Sequence, residues 1–578
     1  MSIQLLEAQG EQKLRANINK YYQELLDRLK QYPFFSDAQA KETISARDSS
    51  DFFYNCITAM ENEFSQDLNS YSTMRWMYYL RRLPHRIFAG DLNSTAPNAR
   101  ALIEVYANLS AKTESANYGR NGFTFPLNDS TLRHIARFAA FTNIIYDLQV
   151  GFRFANKGFD YSFKDKPPRA PNNWPLMAPP TDRRITLPQR IPNPELESAV
   201  KIYDLRHNRN LSFLGKVMNQ AGLAHAKAVE TEAKPELDVS CASWAMISEE
   251  FISPHPYITG HPHAALIGIN AKVMAKYYFN TLDLDRIFEL YRHPALVKVS
   301  VDTHAALCLI VLLLGGRWLK NNPYSFLRTI ELGYFITNIE PWKKFCAEQY
   351  NDVCALISNS LPGFKAPGDF EAFYTSCQRF KGEVWPTAHG APAKATNDYM
   401  CIDMWAASTG FLGWFQFPKM EGEVANHRAV KFEDVVQDAV NSTRWGNGQY
   451  QELRQRTLRV NGKQLTDIDA IGYYEDSLLI ISCKSISYTR EYDRGTHSAV
   501  RNPAATVDKA VEFWAKIVSQ LSESPIGDNF DLSACKQIIG VVCTPYAIYT
   551  SNQKTLSATS QDLRWACSLD ELIEFLAR

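Results

Sequence analysis

The residues best suited to chemistry lie near the carboxyl end of the chain, between positions 467 and 484. Asp467 and Asp469 come first, and Ser482-Cys483-Lys484 follows a mainly apolar stretch. Carboxylates and a lysine are costly to bury unless they pair with one another or bind a metal ion. The pattern therefore indicates an ion-pair cluster or a metal site inside an otherwise apolar hairpin.

An antiparallel hairpin with Glu475 and Asp476 as its two-residue turn would bring these residues together. The opposed pairs that this turn implies are Tyr474 with Ser477, Asp469 with Ser482, and Asp467 with Lys484. Side chains repeat with a period of two along a strand, so the last two pairs share one face, with opposed Cβ atoms about 5 Å apart. A four-residue turn gives the same pairs, whereas a turn of odd length would not.

The segments around the hairpin predict a small mixed α/β domain. The first is a helix with an apolar stripe formed by Phe432, Val435, Val436, Ala439 and Val440, and an Asn461-Gly462 turn follows it. After the hairpin come a helix at Val507–Leu521 and a β-branched strand at Ile538–Cys543. A last helix begins at the capping box of Ser568 and Glu571. Each signal has a local physical basis: helical spacing, a turn that favours positive φ, or a reciprocal cap. The order helix, three strands, helix, strand, helix implies such a mixed α/β domain.

The hairpin and its surroundings resemble the PD-(D/E)XK nuclease superfamily over about residues 425–578. Asp469 matches the first acid of the family pattern, Ser482-Cys483-Lys484 occupies its acidic-x-Lys motif, and Glu433 lies on the preceding helix. The resemblance implies a restriction-endonuclease-like fold that hydrolyses DNA with metal-activated water. It also implies that Asp469 and the Cys483 backbone carbonyl bind Mg²⁺ or Mn²⁺, and that Lys484 orients the water and stabilises phosphate charge.

Ser482 departs from the family pattern, which usually has Glu or Asp there. A neutral hydroxyl is a much poorer ligand for Mg²⁺ than a carboxylate. Glu433 or Asp467 could supply the missing charge. The candidate catalytic residues are thus Asp469, Lys484, Glu433 and Ser482, and the candidate metal ligands are Asp469, Cys483, Glu433 and Asp467. Two alternatives stay open: a degenerate nuclease fold that binds nucleic acid or serves assembly, and an RNA-cleaving effector.

Basic residues near the hairpin are candidates for phosphate contacts. The set that we expect to bind nucleic acid is Arg454, Arg456, Arg490, Arg494 and Lys509. Arginine and lysine contact phosphate oxygens without reading sequence. An ordinary solvated surface explains the same residues equally well.

The remaining chain predicts a multidomain protein with a mainly α-helical amino-terminal region. The predicted parts are a helical domain at 1–165, a proline-rich linker or extended loop at 166–194, a second helical domain at 195–421, and the restriction-endonuclease-like α/β domain at 422–578. Lys13–Leu29, Thr131–Leu148 and Ala265–Phe279 have apolar residues at helical spacing. Nine prolines lie between residues 166 and 194, and proline interrupts helices and central strands. We expect a fragment that begins near Gly422 to fold alone.

Charge and composition limit the function classes. Lys plus Arg and Asp plus Glu are both 62, so the formal net charge is zero. A protein that coats nucleic acid through bulk charge is therefore excluded, and any contact must be local. The sequence contains no Gly-x-x-x-x-Gly-Lys-Ser/Thr motif, which forms a phosphate-binding loop, so we do not expect an ATP-driven motor. We expect DNA rather than RNA as substrate, and a second copy or a partner protein on the helical region.

The chain has the sequence features of a cytoplasmic protein with no membrane partner. Its most apolar run, Ala305–Leu314, has ten residues, whereas a spanning helix needs about 20. No signal peptide is visible, and the 11 cysteines include no Cys-x-x-Cys pair, which indicates free thiols in a reducing compartment. The family resemblance implies a microbial role in restriction, repair or defence against phage.

Two further groups are weaker candidates. His255, His261 and His263 are close enough in sequence for a zinc site, but the neighbouring prolines favour an ordinary loop. Arg286 and His293 have the spacing of some helical ribonucleases that use an Arg-His pair, a pattern that also arises by chance.

Overall fold

The structure is a computed structural model that describes most of the chain, with gaps. The described residues are 8–80, 106–110, 112, 117–119, 122–125, 128–164, 187–220, 242–256, 272–283, 303–322, 325, 329, 333–360, 364–379, 391–395, 398–407, 410–411, 423–486, 489–560 and 563–578. The architecture is mixed α/β with a strong helical component.

The chain forms two compact units. The first comprises Met1–Ile191 and Met218–Pro418, and the second comprises Pro192–Val217 and Lys419–Arg578. The sequence had grouped residues 195–217 with the helical domain at 195–421, but in the structure they pack with the carboxyl-terminal residues. The segment joins that unit through a buried ion pair between Arg206 and Glu571, whose Nη2 and Oε2 atoms are 2.8 Å apart.

The amino-terminal part of the first unit is helical, as predicted. Its elements are α1 (Ala8–Leu29), α2 (Pro33–Ala40), β1 (Thr43–Ile44), α3 (Ala46–Leu68), α4 (Thr73–Leu80), β2 (Asn117–Gly119), β3 (Gly122–Thr124), α5 (Asp129–Asn156), β4 (Tyr161–Ser162) and β5 (Gln189–Arg190). Ser45 caps α3 by accepting the Asp48 N–H, and Asn128 caps α5 in the same way. Phe64 of α3 stacks on Phe141 of α5 with ring centroids 4.1 Å apart.

The proline-rich segment is only partly described, because residues 165–186 lie outside the described residues. Its end is not a free linker: β5 pairs with β4 through Arg190 and Tyr161. Helix α6 (Pro194–Gln220) follows directly, with a proline in its first turn, where the missing N–H costs nothing.

The second part of the first unit contains more β-structure than the sequence predicted. Its elements are β6 (Ala242–Pro256), β7 (Lys272–Asp283), α7 (Thr303–Asn321), β8 (Tyr334–Asn338), α8 (Ile339–Ser360), α9 (Phe370–Arg379), β9 (Ala393–Ala395) and β10 (Tyr399–Asp403). Strands β6 and β7 form a long antiparallel hairpin, so the helical prediction for Ala265–Phe279 is wrong over β7. The sequence of β7 is rich in β-formers such as Val273, Tyr277 and Tyr278, and a short apolar run fits either period.

The most apolar helix, α7, belongs to the core of this part. Ala305–Leu314 are all buried, as expected for a core helix. None of the helices that the structure describes is long and apolar enough to cross a membrane.

The second unit is built on a four-stranded sheet. Besides α6 its elements are α10 (Glu423–Asn441), a 3₁₀ turn (Gln451–Leu453), β11 (Leu458–Val460), β12 (Lys463–Thr466), β13 (Ala470–Tyr474), β14 (Ser477–Cys483), α11 (Arg490–Arg494), α12 (His497–Glu523), β15 (Gln537–Thr544), α13 (Gln553–Leu556), β16 (Ala558–Ser560), β17 (Leu563–Arg564), β18 (Ala566–Ser568) and α14 (Leu569–Leu576). The strand order is β13-β14-β15-β18. β13 is antiparallel to β14, and the other three strands are parallel.

Helices cover both faces of this sheet. Helix α12 packs Val507, Val511 and Trp514 on one face, while α10 and α14 pack on the other through residues such as Val436 and Leu572. The predicted helices and the capping box of Ser568 and Glu571 are confirmed.

The predicted register of the central hairpin is confirmed. Tyr474 pairs with Ser477 and Ala470 with Ile481. Glu475 and Asp476 form the turn with φ values of 47° and 62°, the left-handed conformation that a two-residue hairpin turn requires at both positions.

Candidate active site

Asp469 lies where the hairpin ladder stops. Its N–H donates to the Ile481 carbonyl at 3.2 Å, and its Oδ2 accepts the Cys483 N–H at 2.6 Å. The Asp469 carboxylate thus accepts the Cys483 N–H, which in a continued ladder would donate to a backbone carbonyl of the opposite strand. The ladder between β13 and β14 begins at the pair of Ala470 with Ile481, so it includes neither the predicted pair of Asp469 with Ser482 nor that of Asp467 with Lys484. Asp467 lies exposed before β13 begins.

Ser482 and Lys484 flank the same carboxylate. Ser482 lies close enough to Asp469 for its hydroxyl to lower the pKa of that carboxyl, and Ser482 is 8% exposed. Lys484 is half-buried and anchored to β15, because its N–H donates to the Cys543 carbonyl at 2.8 Å. Burial raises the pKa of Asp469, and the Cys483 N–H, the Lys484 charge and the Ser482 hydroxyl only partly offset that effect.

Helix α10 brings Glu433 to the same place. Four residues further on, the Gln437 side chain accepts the Ile471 N–H at 2.9 Å and donates to the Ile471 carbonyl at 3.0 Å. Four helical residues rise about 6 Å and two strand residues about 6.7 Å, so pinning Gln437 to Ile471 aligns Glu433 with Asp469. Burial and the Asp469 charge raise the pKa of Glu433, while Gln455 and Arg454 oppose the shift.

Gln437 is a residue of the candidate site that was not predicted from the sequence. Its side chain is 2% exposed and occupies the outer edge of β13 as a further strand would. The signal was present as a polar stripe at four-residue spacing, Glu433, Gln437 and Asn441, beside the apolar stripe of α10. Gln437 also donates to Asn441 Oδ1 at 2.8 Å, which extends the stripe.

Arg454, one of the predicted phosphate contacts, makes two contacts within the second unit. Its Nε donates to the Asp469 carbonyl at 3.1 Å, and its Nη2 lies 2.9 Å from Asp434 Oδ1. The guanidinium therefore joins the start of β13 to α10, next to the two carboxylates.

The other predicted phosphate contacts are more dispersed. Arg456 and Lys509 are exposed. Arg494 is half-buried at the end of α11, and the Arg490 side chain lies outside the described residues. Because α12 connects two parallel strands, its first turns lie at the edge of the sheet where β14 ends, which is the edge that carries Asp469 and Lys484.

The donor set at this edge fits a hard divalent cation. Mg²⁺ is commonly bound through one or two carboxylates, with water in its other positions, and Glu433 and Asp469 supply two whose raised pKa values a cation would lower. The Cys483 carbonyl points to the same side of its strand as the N–H that bonds Asp469. Burial raises the pKa of the Cys483 thiol well above its ordinary value, so the carbonyl rather than the sulfur is the ligand to expect. Among the described residues no group of three or more His, Cys, Asp or Glu is arranged to hold a metal ion.

The weaker histidine and arginine candidates gain nothing from the structure. His255 lies in β6, not in the expected loop. His261, His263, Arg286 and His293 fall outside the described residues.

Comparisons with protein-family models, with curated proteins and with solved structures find no match to this chain. Membership of the PD-(D/E)XK superfamily therefore stays a prediction that stands on the residues and geometry of the second unit.

Proposed function

We propose that the second unit is a metal-dependent nuclease that hydrolyses phosphodiester bonds of DNA. The observation that carries the proposal is the convergence of Glu433, Asp469 and Lys484 at one edge of the sheet, from a helix and two strands that are far apart in sequence. Partly buried carboxylates are costly unless they pair with an opposite charge or bind a cation.

Each side chain has a separate role in this proposal. Glu433, Asp469 and the Cys483 carbonyl would hold Mg²⁺ or Mn²⁺, which when bound supplies a Lewis acid and lowers the pKa of a water. Lys484 lies beside Asp469, where its ammonium group can hold the attacking water and balance charge on the phosphate. Ser482 keeps Asp469 oriented through its hydroxyl. The exposed Arg456 and Lys509 are the side chains we propose for phosphate contacts.

Ser482 favours a second candidate, a degenerate site that binds nucleic acid without cleaving it. A buried hydroxyl in the acidic position leaves the site with one carboxylate fewer than the family pattern. RNA cleavage by the same residues is the third possibility, since nothing in their chemistry selects deoxyribose.

Incubation of the full-length protein with supercoiled plasmid, single-stranded DNA and RNA, each with Mg²⁺, Mn²⁺ or EDTA, tests the proposal. We expect metal-dependent cleavage of DNA that EDTA abolishes. Cleavage of RNA alone would select the effector alternative. Binding without cleavage under all conditions would select the degenerate site and contradict the nuclease.

We further propose that the first unit provides self-association or partner binding, because nuclease chemistry does not need its several hundred residues. Light scattering on the full-length protein tests the self-association arm. A second copy predicts a mass of at least twice 65.7 kDa. A monomer would leave a separate partner protein as the role to look for.

A further inference from the structure

The dipeptide Arg454-Gln455 crosses the candidate active site between α10 and β13. It follows the 3₁₀ turn, and Arg454 forms an isolated parallel bridge with Ile468. The Gln455 N–H donates to the Ile468 carbonyl at 2.8 Å. The dipeptide, called the strap below, is thus fixed by its backbone to the residue just before Asp469.

The Arg454 side chain connects the two elements that carry the carboxylates. One nitrogen of its guanidinium donates to the carbonyl of Asp469 itself, at 3.1 Å. Another lies 2.9 Å from the carboxylate of Asp434, the residue directly after Glu433. A guanidinium is planar with fixed donor directions, so these two contacts set the distance between α10 and the start of β13.

Gln455 acts on the second carboxylate directly. Its side chain lies close enough to Glu433 to lower the pKa of that carboxyl. Its backbone has φ of +57°, a conformation that glutamine seldom adopts and that surrounding structure must impose. The backbone bond to Ile468 and the two contacts of Arg454 impose it here.

Two neighbouring carboxylates repel each other before any cation is present. We propose that Arg454 and Gln455 are positioning residues that hold Glu433 and Asp469 together in the geometry of a divalent-cation site. This inference rests on the proposed metal-dependent function and assigns Arg454 to the site's framework rather than to phosphate. Outer contacts of this kind commonly contribute about 10-fold to 100-fold in metal affinity or activity.

Calorimetric titration of the full-length protein with Mn²⁺, without nucleic acid, tests the role of Arg454. We expect Arg454→Ala to raise the Kd for Mn²⁺ by about 10-fold to 100-fold. Arg454→Lys should do the same, since one ammonium cannot span both acceptors. Arg459→Ala is the matched control, because Arg459 is an exposed arginine five residues away that is not among the proposed phosphate contacts, and its Mn²⁺ titration should equal that of the wild type.

DNA binding in EDTA, measured at several salt concentrations, separates positioning from phosphate contact. A positioning Arg454 predicts an unchanged DNA Kd and an unchanged salt slope in Arg454→Ala. A lost phosphate contact would instead lower the slope by about one. A reduced slope together with a wild-type Kd for Mn²⁺ would overturn the proposal.

Gln455→Gly tests whether weaker Mn²⁺ binding comes from the lost side chain rather than from poor folding. Glycine adopts positive φ without strain, so we expect a melting temperature equal to or above that of the wild type, with weaker Mn²⁺ binding. Unchanged Mn²⁺ affinity in this variant would overturn the role of Gln455. If the wild type itself binds no Mn²⁺, both the metal-dependent function and the positioning role are wrong. If the wild type binds Mn²⁺ and the Arg454 and Gln455 variants bind it with the same Kd, the metal-dependent function stands and only the positioning role is wrong.

Discussion

Ser482 sets the negative charge that the site presents to a cation. Its buried hydroxyl lies close enough to Asp469 to lower the pKa of that carboxyl, so a carboxylate placed there would lie next to Asp469. Two carboxylates that share a site raise one pKa when no cation is bound, and a cation relieves the repulsion. Substitutions at position 482 can therefore separate the effect of an added charge on cation binding from the effect of added side-chain volume.

We expect Ser482→Glu to melt at a lower temperature than the wild type in EDTA and to gain more stability from Mn²⁺. Ser482→Gln has nearly the same shape without the charge and should gain less than Ser482→Glu. Thermal melts over a series of Mn²⁺ concentrations measure both effects. Identical Mn²⁺ dependence of the Glu and Gln variants would mean that position 482 does not contact the cation.

Asp469 gives a dependence of stability on pH with a defined sign. Burial raises its pKa in the folded state, and the Cys483 N–H, the Lys484 charge and the Ser482 hydroxyl offset only part of the effect. A group with a raised folded pKa contributes stability below its unfolded pKa of about 3.9, and that contribution is lost as the pH rises through the folded value. Asp469→Asn removes this loss while keeping an acceptor for the Cys483 N–H.

We therefore expect Asp469→Asn to melt at a higher temperature than the wild type near neutral pH in EDTA. The difference should shrink as the pH approaches about 4. Melting temperatures over this pH range measure it. A variant that is less stable than the wild type at neutral pH would show that the ionised carboxylate stabilises the fold.

At the scale of elements, Gln437 holds helix α10 against the edge of β13. Its side-chain amide bonds both the N–H and the C=O of Ile471. The loop after the helix also bonds the edge of β13, since the Tyr473 N–H donates to the Trp445 carbonyl at 2.9 Å. An open strand edge invites pairing with another chain. The helix thus closes the sheet and delivers Glu433 at the same time.

Gln437→Leu should destabilise the second unit and weaken Mn²⁺ binding together. The change leaves the buried N–H and C=O of Ile471 without partners, which costs about 1–3 kcal/mol for each group. Asp438→Asn, an exposed neighbour on the same helix, is the control. Hydrogen exchange at Ile471 measures the loss; protection equal to that of the wild type would contradict the role of the glutamine.

The elements show where local sequence signals suffice. The β13–β14 register could be predicted because a two-residue turn fixes it and the face follows from the period of two. The β6–β7 hairpin was missed because the apolar residues of β7 fit both helical and strand spacing. Only pairing with β6, which is distant in sequence, makes the segment a strand. Gln437 was missed for a related reason: its partner, Ile471, lies on another element, and a polar residue considered alone looks like a surface residue. The contacts of Arg454 with Asp469 and Asp434 could not be predicted for the same reason.

At the scale of the molecule, the second unit is discontinuous in sequence. Arg206 of α6 donates to both carboxylate oxygens of Glu571 and to the Ala566 carbonyl. Burial raises the pKa of Glu571, but Arg206, the Ser568 N–H and Arg564 outweigh it, so the pKa is lowered overall. A fragment that begins near Gly422 lacks Arg206, and among the residues that the structure describes Arg564 would then be the one arginine left bound to the buried Glu571.

We expect Arg206→Ala to destabilise the second unit by about 3–5 kcal/mol, because it leaves a buried charge without its main partner. Adding Glu571→Gln should recover part of the loss. Lys201→Ala, an exposed change on the same helix, should have little effect. Native-state hydrogen exchange in α14 reports the local free energy of opening in a protein of two units; unchanged exchange in Arg206→Ala would mean that α6 does not stabilise this unit.

Nicking of supercoiled plasmid by the full-length protein in Mg²⁺, compared between Asp469→Asn and Asp467→Asn, tests the central claim most directly. The two variants remove the same charge two residues apart, but only Asp469 contacts Cys483 and Ser482. We expect Asp469→Asn to lose cleavage by about 100-fold or more, since it removes a charged ligand of the proposed cation, and Asp467→Asn to cleave within a few-fold of the wild type. Wild-type nicking by Asp469→Asn, with the protein shown to be folded, would contradict a metal-dependent nuclease site at this edge of the sheet.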